Sequence, residues 1–531
     1  MEKRTLLAIV ISIGILLAWD LLFVQPKIPE KPPASGQEES DIAQKELTDN
    51  AIPTEIHRES DPGALDVQQE TIIINTLLYK ATFSTKGAQL ISLKLNKYRE
   101  NLEADAKPVE MILSPMPAIS LKGGFSDRNH LYVPSAHGDV DVYNNTYELV
   151  FRAEIIKGVV FRRIYTIDPN SYIIGCRVVL TNNTDKNMSL GMSIDLENMY
   201  PIEKKGARYI FEGPVLLNSK HLEEFKLSKI KGPDSFRQFP GLIRWFGFED
   251  KYFLKAIILT EPQETVLTIK RLDSNLVRFI YELPSPGIEP GEDLVQNLSL
   301  FVGPKELKTL KASGHDLDKA LDFGFFDIIA KPLLISLNWI NQHVKSYGWS
   351  IIILTIIVKI ILYPLTLTSF RSMKEMQKAQ PLMKEIQTKY KDDRPKMNQE
   401  LMKLYKEHKI NPMGGCLPLL LQIPILFALY KMVLSAIELR HTPFHIVGTW
   451  LPDLSAKDPY YITPILMGVS WFIQQKMTPT TGDPTQQKMM LFMPIIFTIL
   501  FLNFPSGLVI YWLISNVLSI IQQAYINRAH P

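Results

Sequence analysis

Hydrophobic and polar positions follow three different rhythms along this chain. An unbroken apolar run from Leu6 to Val24 comes first, behind the basic pair Lys3 and Arg4. It is longer than a secretory signal core and no small-x-small cleavage pattern follows it, so it predicts an uncleaved anchor over 1–24 with its N-terminus inside. Trp19 and Asp20 suit the outer interface. Residues 25–70 have almost no apolar periodicity and are rich in Pro, Glu, Ser, Asp and Gln, which predicts a disordered tether. From Thr71 the rhythm is that of strands. Segments such as Tyr147-Glu-Leu-Val-Phe-Arg, Val159-Val-Phe-Arg-Arg-Ile-Tyr-Thr-Ile and Tyr172-Ile-Ile-Gly-Cys-Arg-Val-Val-Leu are separated by turns such as Asp168-Pro-Asn and Asn182-Asn-Thr-Asp. Strands at this spacing, without helical patterns between them, predict a β-sandwich over 71–314.

The third rhythm is helical. Leu317, Leu321, Phe325, Ile328, Ile329, Leu333, Leu337 and Ile340 recur at three- and four-residue steps, which predicts an amphipathic helix over 315–346 lying along a membrane interface. Runs of membrane-spanning character follow at about 348–368, 416–438, 459–476, 489–504 and 506–525, with a charged interlude at 369–411. Two of them, 459–476 and 489–504, are short for a hydrocarbon core of about 30 Å. With the anchor they make six spans. The interlude carries Arg371, Lys374, Lys378, Lys384, Lys389, Lys391, Arg394, Lys396, Lys403, Lys406 and Lys409, a cluster that belongs in the cytoplasm. Six spans then put both termini inside and the β-domain outside. The expected fold is therefore a six-span α-helical membrane protein with an extracytoplasmic β-sandwich.

Composition adds little. The net charge of +3 on 531 residues gives no global field for nucleic acid. The two cysteines, Cys176 and Cys416, fall on opposite sides of the membrane in this topology, so no disulfide is expected. His57, His130, His137 and His221 are scattered without metal-ligand spacing. Asp195, Glu197, Glu249 and Asp250 could be imagined as a glycosidase pair, but ordinary solvated surface is the better reading. No Gly-x-x-x-x-Gly-Lys-Ser/Thr run offers a nucleotide site.

The chemistry concentrates in the span at 348–368, where Lys359 lies about 15 Å from either end. A cation at that depth costs about 3 kcal/mol on insertion scales. It is tolerable only against protein or a water-filled cavity. No carboxylate occurs inside the later spans to pair with it. Thr355, one turn earlier, and Gln422, Ser515 and Asn516 on other spans could line a wet, positively charged concavity with it. The latter three could equally be interhelical hydrogen-bond glue. In the interlude, two amphipathic helices meet at Lys391-Asp-Asp-Arg-Pro and form a hairpin. Met373, Met376 and Met383 lie on one face of the first helix and Met397 on the second. These thioethers either adapt to varied apolar partners or fill the hairpin seam. Lys384, Lys391 and Arg394 could meet anionic lipid or ribosomal RNA.

Several motifs together resemble the YidC/Oxa1/Alb3 family of membrane protein insertases. They are Tyr363-Pro-Leu-Thr, Asn411-Pro-Met-Gly-Gly-Cys-Leu-Pro-Leu-Leu-Leu-Gln-Ile-Pro-Ile, Asp458-Pro-Tyr-Tyr-Ile, Phe492-Met-Pro-Ile-Ile-Phe and Phe504-Pro-Ser-Gly-Leu-Val. The resemblance covers about 320–527, and 1–320 is similar to the Gram-negative form, with its anchor and periplasmic β-supersandwich. It implies a five-helix core with a hydrophilic groove that inserts and helps fold nascent membrane proteins. It also implies partners: the Sec translocon, the ribosome and signal recognition particle pathway, and the lipid bilayer. It implies no enzyme activity, no cofactor and no small-molecule substrate. The family's usual groove arginine corresponds to Lys359, its neighbouring threonine to Thr355, and its aromatic in the last span to Trp512. An ion-coupled transporter is the rival reading of a mid-membrane cation, but the inverted repeats and acidic relays of transporters are not seen here.

Overall fold

The computed structural model describes residues 68–531 apart from 122–124, 190, 201–210, 220, 231–234, 274, 285, 392, 409–416, 446–449, 478–483 and 530–531. The expected anchor at 1–24 and nearly all of the expected tether lie outside the described residues.

Strands run from Thr71 to Pro304. A five-stranded sheet holds Pro108–Glu110, Gln89–Arg99, Tyr79–Ser84, Thr71–Asn75 and Asp139–Asp141 in that order. A second sheet of 14 strands continues from Phe125–Ser126 to Val133–Pro134. Alternation explains most of these strands: in Val159–Ile167 and Leu276–Glu282 every second side chain is buried. The strand Phe236–Glu249 serves two halves of the long sheet. Its first part pairs with Glu264–Arg271, and its second with Phe253–Leu259 and Gly213–Asn218. Gly241 sits at the change with φ of +125°, a conformation only glycine adopts freely. Further along, a Cβ on Gly247 would lie 2.1 Å from the Lys255 carbonyl oxygen.

Polar groups inside this domain are paired. Arg163, fully buried, forms an ion pair with Asp127 and donates to the carbonyls of Gly87, Ala88 and Pro117. The solvated-surface reading of Asp195, Glu197 and Glu249 is corrected here, since all three are buried. Glu197 is held by Arg128 at 2.8 Å and Arg278 at 2.5 Å. Asp195 accepts from Ser120 and Ser193, and Glu249 meets Lys305 at 3.2 Å. Their apolar surroundings were hidden from a local reading because the partners lie far away in sequence.

After the strands come α1 (Leu307–Ser313), two short 3-10 turns, and α2 (Asp327–Val344). The helix expected from 315 thus begins only at Asp327. His315, Asp316 and Gly324 all have positive φ, which no helix continues through. On α2, Ala330, Leu334, Leu337 and Ile340 are buried while Phe325 just before it, Ile328 and Trp339 are exposed. Next are α3 (Tyr347–Lys378), α4 (Gln380–Lys389), α5 (Arg394–Glu407), α6 (Leu417–Ser435), α7 (Ile462–Met477), α8 (Pro484–Phe501) and α9 (Ser506–Ala529). Among the described residues, α3 and Ser506–Ile526 of α9 are long and apolar enough to cross a membrane. Gln422–Ser435 and Leu491–Phe501 are apolar but shorter. The 32 residues of α3 rise about 48 Å, beyond a core of about 30 Å, so α3 continues into the hairpin. This corrects the hairpin's first helix: Met373 and Met376 belong to α3, Met383 to α4. Pro381 causes the break, because its ring clashes with the carbonyl four residues earlier.

The β-domain rests on the loops that follow α6. Arg440 donates to the carbonyls of Arg99 at 2.7 Å and Glu100 at 3.2 Å, and Tyr252 donates to Ser455 Oγ at 3.1 Å.

Lys255 makes the domain's stability depend on pH. It lies in the wholly buried strand Phe253–Leu259, and burial pulls its ammonium down to about 7. Between pH 7 and 10 the unfolded chain holds a proton on this lysine that the folded one has released. Stability should therefore rise with pH there, by up to about 1.4 kcal/mol per unit. Lys255→Met should remove this rise, read as the calorimetric unfolding midpoint of the full-length protein across that range.

Candidate functional site

The helix α9 carries a row of polar side chains at the spacing of one helical face. Ser515, Ser519 and Gln523 are four residues apart, with Asn516 beside them, and all four are buried. Each reaches a different neighbour. Lys359 Nζ on α3 donates to Ser519 Oγ at 2.7 Å. Ser519 Oγ in turn donates to the Ser515 carbonyl at 2.9 Å. Gln422 Nε2 on α6 donates to Ser515 Oγ at 3.2 Å. Toward α7, Asn516 Nδ2 donates to Ser470 Oγ at 3.2 Å and the Met467 carbonyl at 3.4 Å, and Gln523 Nε2 to the Met477 carbonyl at 2.5 Å. So α9 is a polar spine packed between α3 and α7, while α3 and α8 share no extended contact.

The cation is held without being neutralised. Among the described residues no carboxylate lies within ion-pair distance of Lys359, and Ser519 is its one hydrogen-bond partner. An ammonium has three donors, so two remain for water or a bound group. Further along, Gln475 Nε2, Gln522 Nε2 and Gln523 Oε1 are buried with no partner among the described residues. Beside Lys359 and round the far side of α3 runs an apolar, exposed surface: Ile356, Ile357, Ile360 and Ile361. One helix thus presents a cation to a polar interior and a greasy ridge outward.

Five of the six expected groove residues fall in or beside this arrangement. Lys359, Gln422, Ser515 and Asn516 are in the hydrogen-bonded network. Thr355 is fully buried one turn before Lys359, with its hydroxyl donated to its own helix at the Ile351 carbonyl, 2.7 Å away. Trp512 lies one turn from Asn516 but is enclosed by rings, 5.6 Å from Trp471 and 5.1 Å from Phe501. It closes the apolar end of the row and lies outside its hydrogen bonds. In the hairpin, Met376 and Met383 are buried with Ala379 and Leu404, filling the seam. Met397 is half-buried, and Lys384 and Lys391 are exposed. The side chains of Met373 and Arg394 lie outside the described residues.

Sequence reasoning missed Ser519, Ser470 and Gln523. The four-residue spacing of Ser515, Ser519 and Gln523 was the available signal. Which of them meets Lys359 depends on the rotation of α9 against α3, a tertiary fact.

A family model described as "60Kd inner membrane protein" matches residues 339–531, and one described as "YidC periplasmic domain" matches 71–336. The chain is 40% identical to the membrane protein insertase YidC of Syntrophus aciditrophicus, covering 99% of this chain and 100% of that one. It is 41% identical to the membrane protein insertase YidC of Geobacter metallireducens, covering 100% and 99%. Among solved structures, an active YidC insertase aligns over 86% of this chain and 92% of its own at 21% identity, with a TM-score of 0.36. A galactose mutarotase related enzyme from Lactobacillus acidophilus aligns over 44% and 97% at 12% identity, with a TM-score of 0.31. Both overlaps are loose and nothing below rests on them.

The Lys359–Ser519 contact can be measured as a coupling. Ser519→Ala should destabilise the full-length protein by about 1.5–3 kcal/mol, because it removes the one hydrogen-bond partner of a half-buried ammonium. In a Lys359→Met background the same change should cost almost nothing. Thermal unfolding midpoints of the four proteins of the cycle in one detergent give the answer.

Proposed function

The chain belongs to the YidC family of membrane protein insertases, and on that premise we propose how its groove does the work. It is a membrane protein insertase of the inner membrane with a periplasmic domain. The observation that carries the mechanism is the half-buried, un-neutralised ammonium of Lys359 on its serine partner.

A nascent segment approaches from the cytoplasm. Its acidic or polar flank is drawn toward Lys359, whose free donors take the place of water around a carboxylate or a peptide carbonyl. Gln475, Gln522 and Gln523 offer unsatisfied amide groups to its backbone on the way. The polar part of the segment then crosses less bare hydrocarbon, where each unsatisfied polar group costs several kcal/mol. At 16 residues, α7 reaches about 24 Å, so a thinned bilayer beside it shortens the remaining path. The apolar part leaves sideways across Ile356, Ile357, Ile360 and Ile361, driven by about 25 cal/mol per Å² of apolar burial.

The rest of the expected architecture completes this reading. The core has five spans, α3 and α6 to α9, with the anchor at 1–24 as a sixth, and both termini are cytoplasmic. The helix α2 lies along the outer interface with Trp339 and Phe325 toward lipid. The basic hairpin of α4 and α5 receives the client, with Lys384 and Lys391 toward the ribosome or lipid headgroups and Arg394 as a further candidate contact from the sequence. The Sec translocon and the signal recognition particle pathway are partners in this scheme. Lysine in place of arginine keeps the charge and drops the bidentate fork, so the groove acts here through charge.

Purified protein in liposomes without another translocase tests this. A short single-span client with an acidic translocated flank should become protease-protected with the intact protein and with Lys359→Arg. Lys359→Ala should lower its insertion by about tenfold or more, the worth of one charge-assisted contact. Equal insertion by Lys359→Ala for every client would overturn the electrostatic mechanism.

A further inference from the structure

A cavity of about 470 Å³ lies where the β-domain meets the membrane helices. Its wall combines residues from three places: Lys97, Arg99 and Leu102 from the end of a strand, Glu306 before α1, and Glu438 with His441 from the loop after α6. Tyr347, the first residue of α3, and Ile437 also line it, and Glu103 stands exposed near Lys97 and Arg99. It therefore sits at the level where α3 and α6 leave the bilayer on the periplasmic side. Exposed Trp349 and Trp339 lie on the adjoining turns, as aromatic residues do at a lipid interface.

Cationic Lys97 and Arg99 are exposed at the mouth. Within, the Glu438 carboxylate is largely enclosed. Its Oε1 accepts from Asn338 Nδ2 at 3.1 Å. Its Oε2 is buried with no donor. Three cationic side chains, Lys97, Arg99 and Arg440, share the cavity with His441, yet none of them is within ion-pair distance of Glu438 among the described residues. Arg440 is already committed to the carbonyls of Arg99 and Glu100. Glu306 has one oxygen on Thr309 Oγ1 at 2.5 Å. Burial, with Glu306 nearby, pushes the Glu438 carboxyl above the usual range, as expected for an acid short of a donor.

An unmet acceptor deep in a cavity calls for a donor, and an anion-attracting rim calls for a negative group attached to it. Among the described residues no three metal-ligating side chains converge, and a primary ammonium supplies both an N–H donor and a compensating charge. We propose that this cavity binds a phosphate-linked primary ammonium, the phosphoethanolamine headgroup of an outer-leaflet lipid. The ammonium hydrogen-bonds Glu438 Oε2. The phosphate meets Lys97 and Arg99. The glycerol end lies over Leu102, whose side chain is half exposed at the mouth. A bound headgroup would bridge the β-domain and the outer ends of α3 and α6. The proposal rests on reading α3 and α6 as spans, and it does not involve the groove.

The discriminating comparison is between ethanolamine and choline, because a quaternary ammonium has no N–H to donate. Full-length protein is reconstituted with equal phosphatidylethanolamine and phosphatidylcholine in a phosphatidylglycerol background. It is then extracted in mild detergent, and retained lipid is counted by native mass spectrometry. Phosphatidylethanolamine should be retained over phosphatidylcholine by about tenfold or more, the worth of a charge-assisted hydrogen bond. Glu438→Gln should bring the ratio close to one. Lys97→Gln with Arg99→Gln, both exposed and harmless to folding, should lower phosphatidylethanolamine retention several-fold. Soluble phosphoethanolamine should compete the lipid away. Equal retention of the two lipids overturns the proposal, and so does a preference that survives both sets of substitutions. Binding of soluble phosphoethanolamine without lipid retention overturns the lipid assignment. Client insertion by the same preparations, unchanged while the lipid preference is lost, separates this site from the groove.

Discussion

A primary ammonium in the middle of a membrane helix is the constraint on which the rest of this core depends. Its insertion is costly by at least several RT, and proteins usually offset such a cost with a carboxylate. Here a serine hydroxyl does so instead, and the charge is stabilised without being cancelled. Everything around Lys359 is arranged to keep it that way. Ser519 is itself tied to the Ser515 carbonyl, Ser515 to Gln422, and the neighbouring Asn516 to α7. The network spends neutral donors and acceptors on one another and leaves a net positive site facing a polar row. A carboxylate in this row would make the bundle more comfortable and the site useless to an acidic client.

The apolar surfaces follow from the same arrangement. Because α9 lies between α3 and α7, α3 is free to expose its isoleucine ridge beside Lys359 and round its far side. A polar interior and a lipid-facing exit therefore lie on one helix. At the end of the row toward Trp512 the aromatic cluster of Trp471, Phe497, Phe501, Phe504 and Trp512 packs together and closes the row with rings. The β-domain contributes nothing to this site. Its buried polar groups, from the Arg163–Asp127 pair to Glu249, are internal ties, and it meets the core through residues such as Arg99, Tyr252 and Arg440.

Much of this was legible in the sequence, for identifiable reasons. Lys359 stood out because a single cation interrupts an apolar run, and strands stood out because alternate positions on Val159–Ile167 face opposite sides. Ser519 did not stand out, because serine is unremarkable in hydropathy and its partner is 160 residues away. The burial of Asp195 and Glu197 was equally hidden: carboxylates read as surface until arginines from distant strands enclose them. Helix limits failed where local backbone overrode periodicity, at the positive-φ residues before Asp327 and at Pro381. Trp512 was expected from resemblance to meet the client, and its enclosure by rings depends on which turn of α9 faces α7, which no pattern in one sequence reveals.

The central claim is that the groove works because its cation is left un-neutralised. Ser519→Asp tests it most directly, by supplying the carboxylate partner that the sequence withholds at the very atom Lys359 now touches. The measurement is insertion of an acidic-flanked and a neutral-flanked client into liposomes, beside the unfolding midpoint of the same protein. The account predicts a protein at least as stable as the parent whose insertion of the acidic-flanked client collapses while the neutral-flanked one is less affected. Full insertion of the acidic-flanked client by a stably folded Ser519→Asp protein would contradict it.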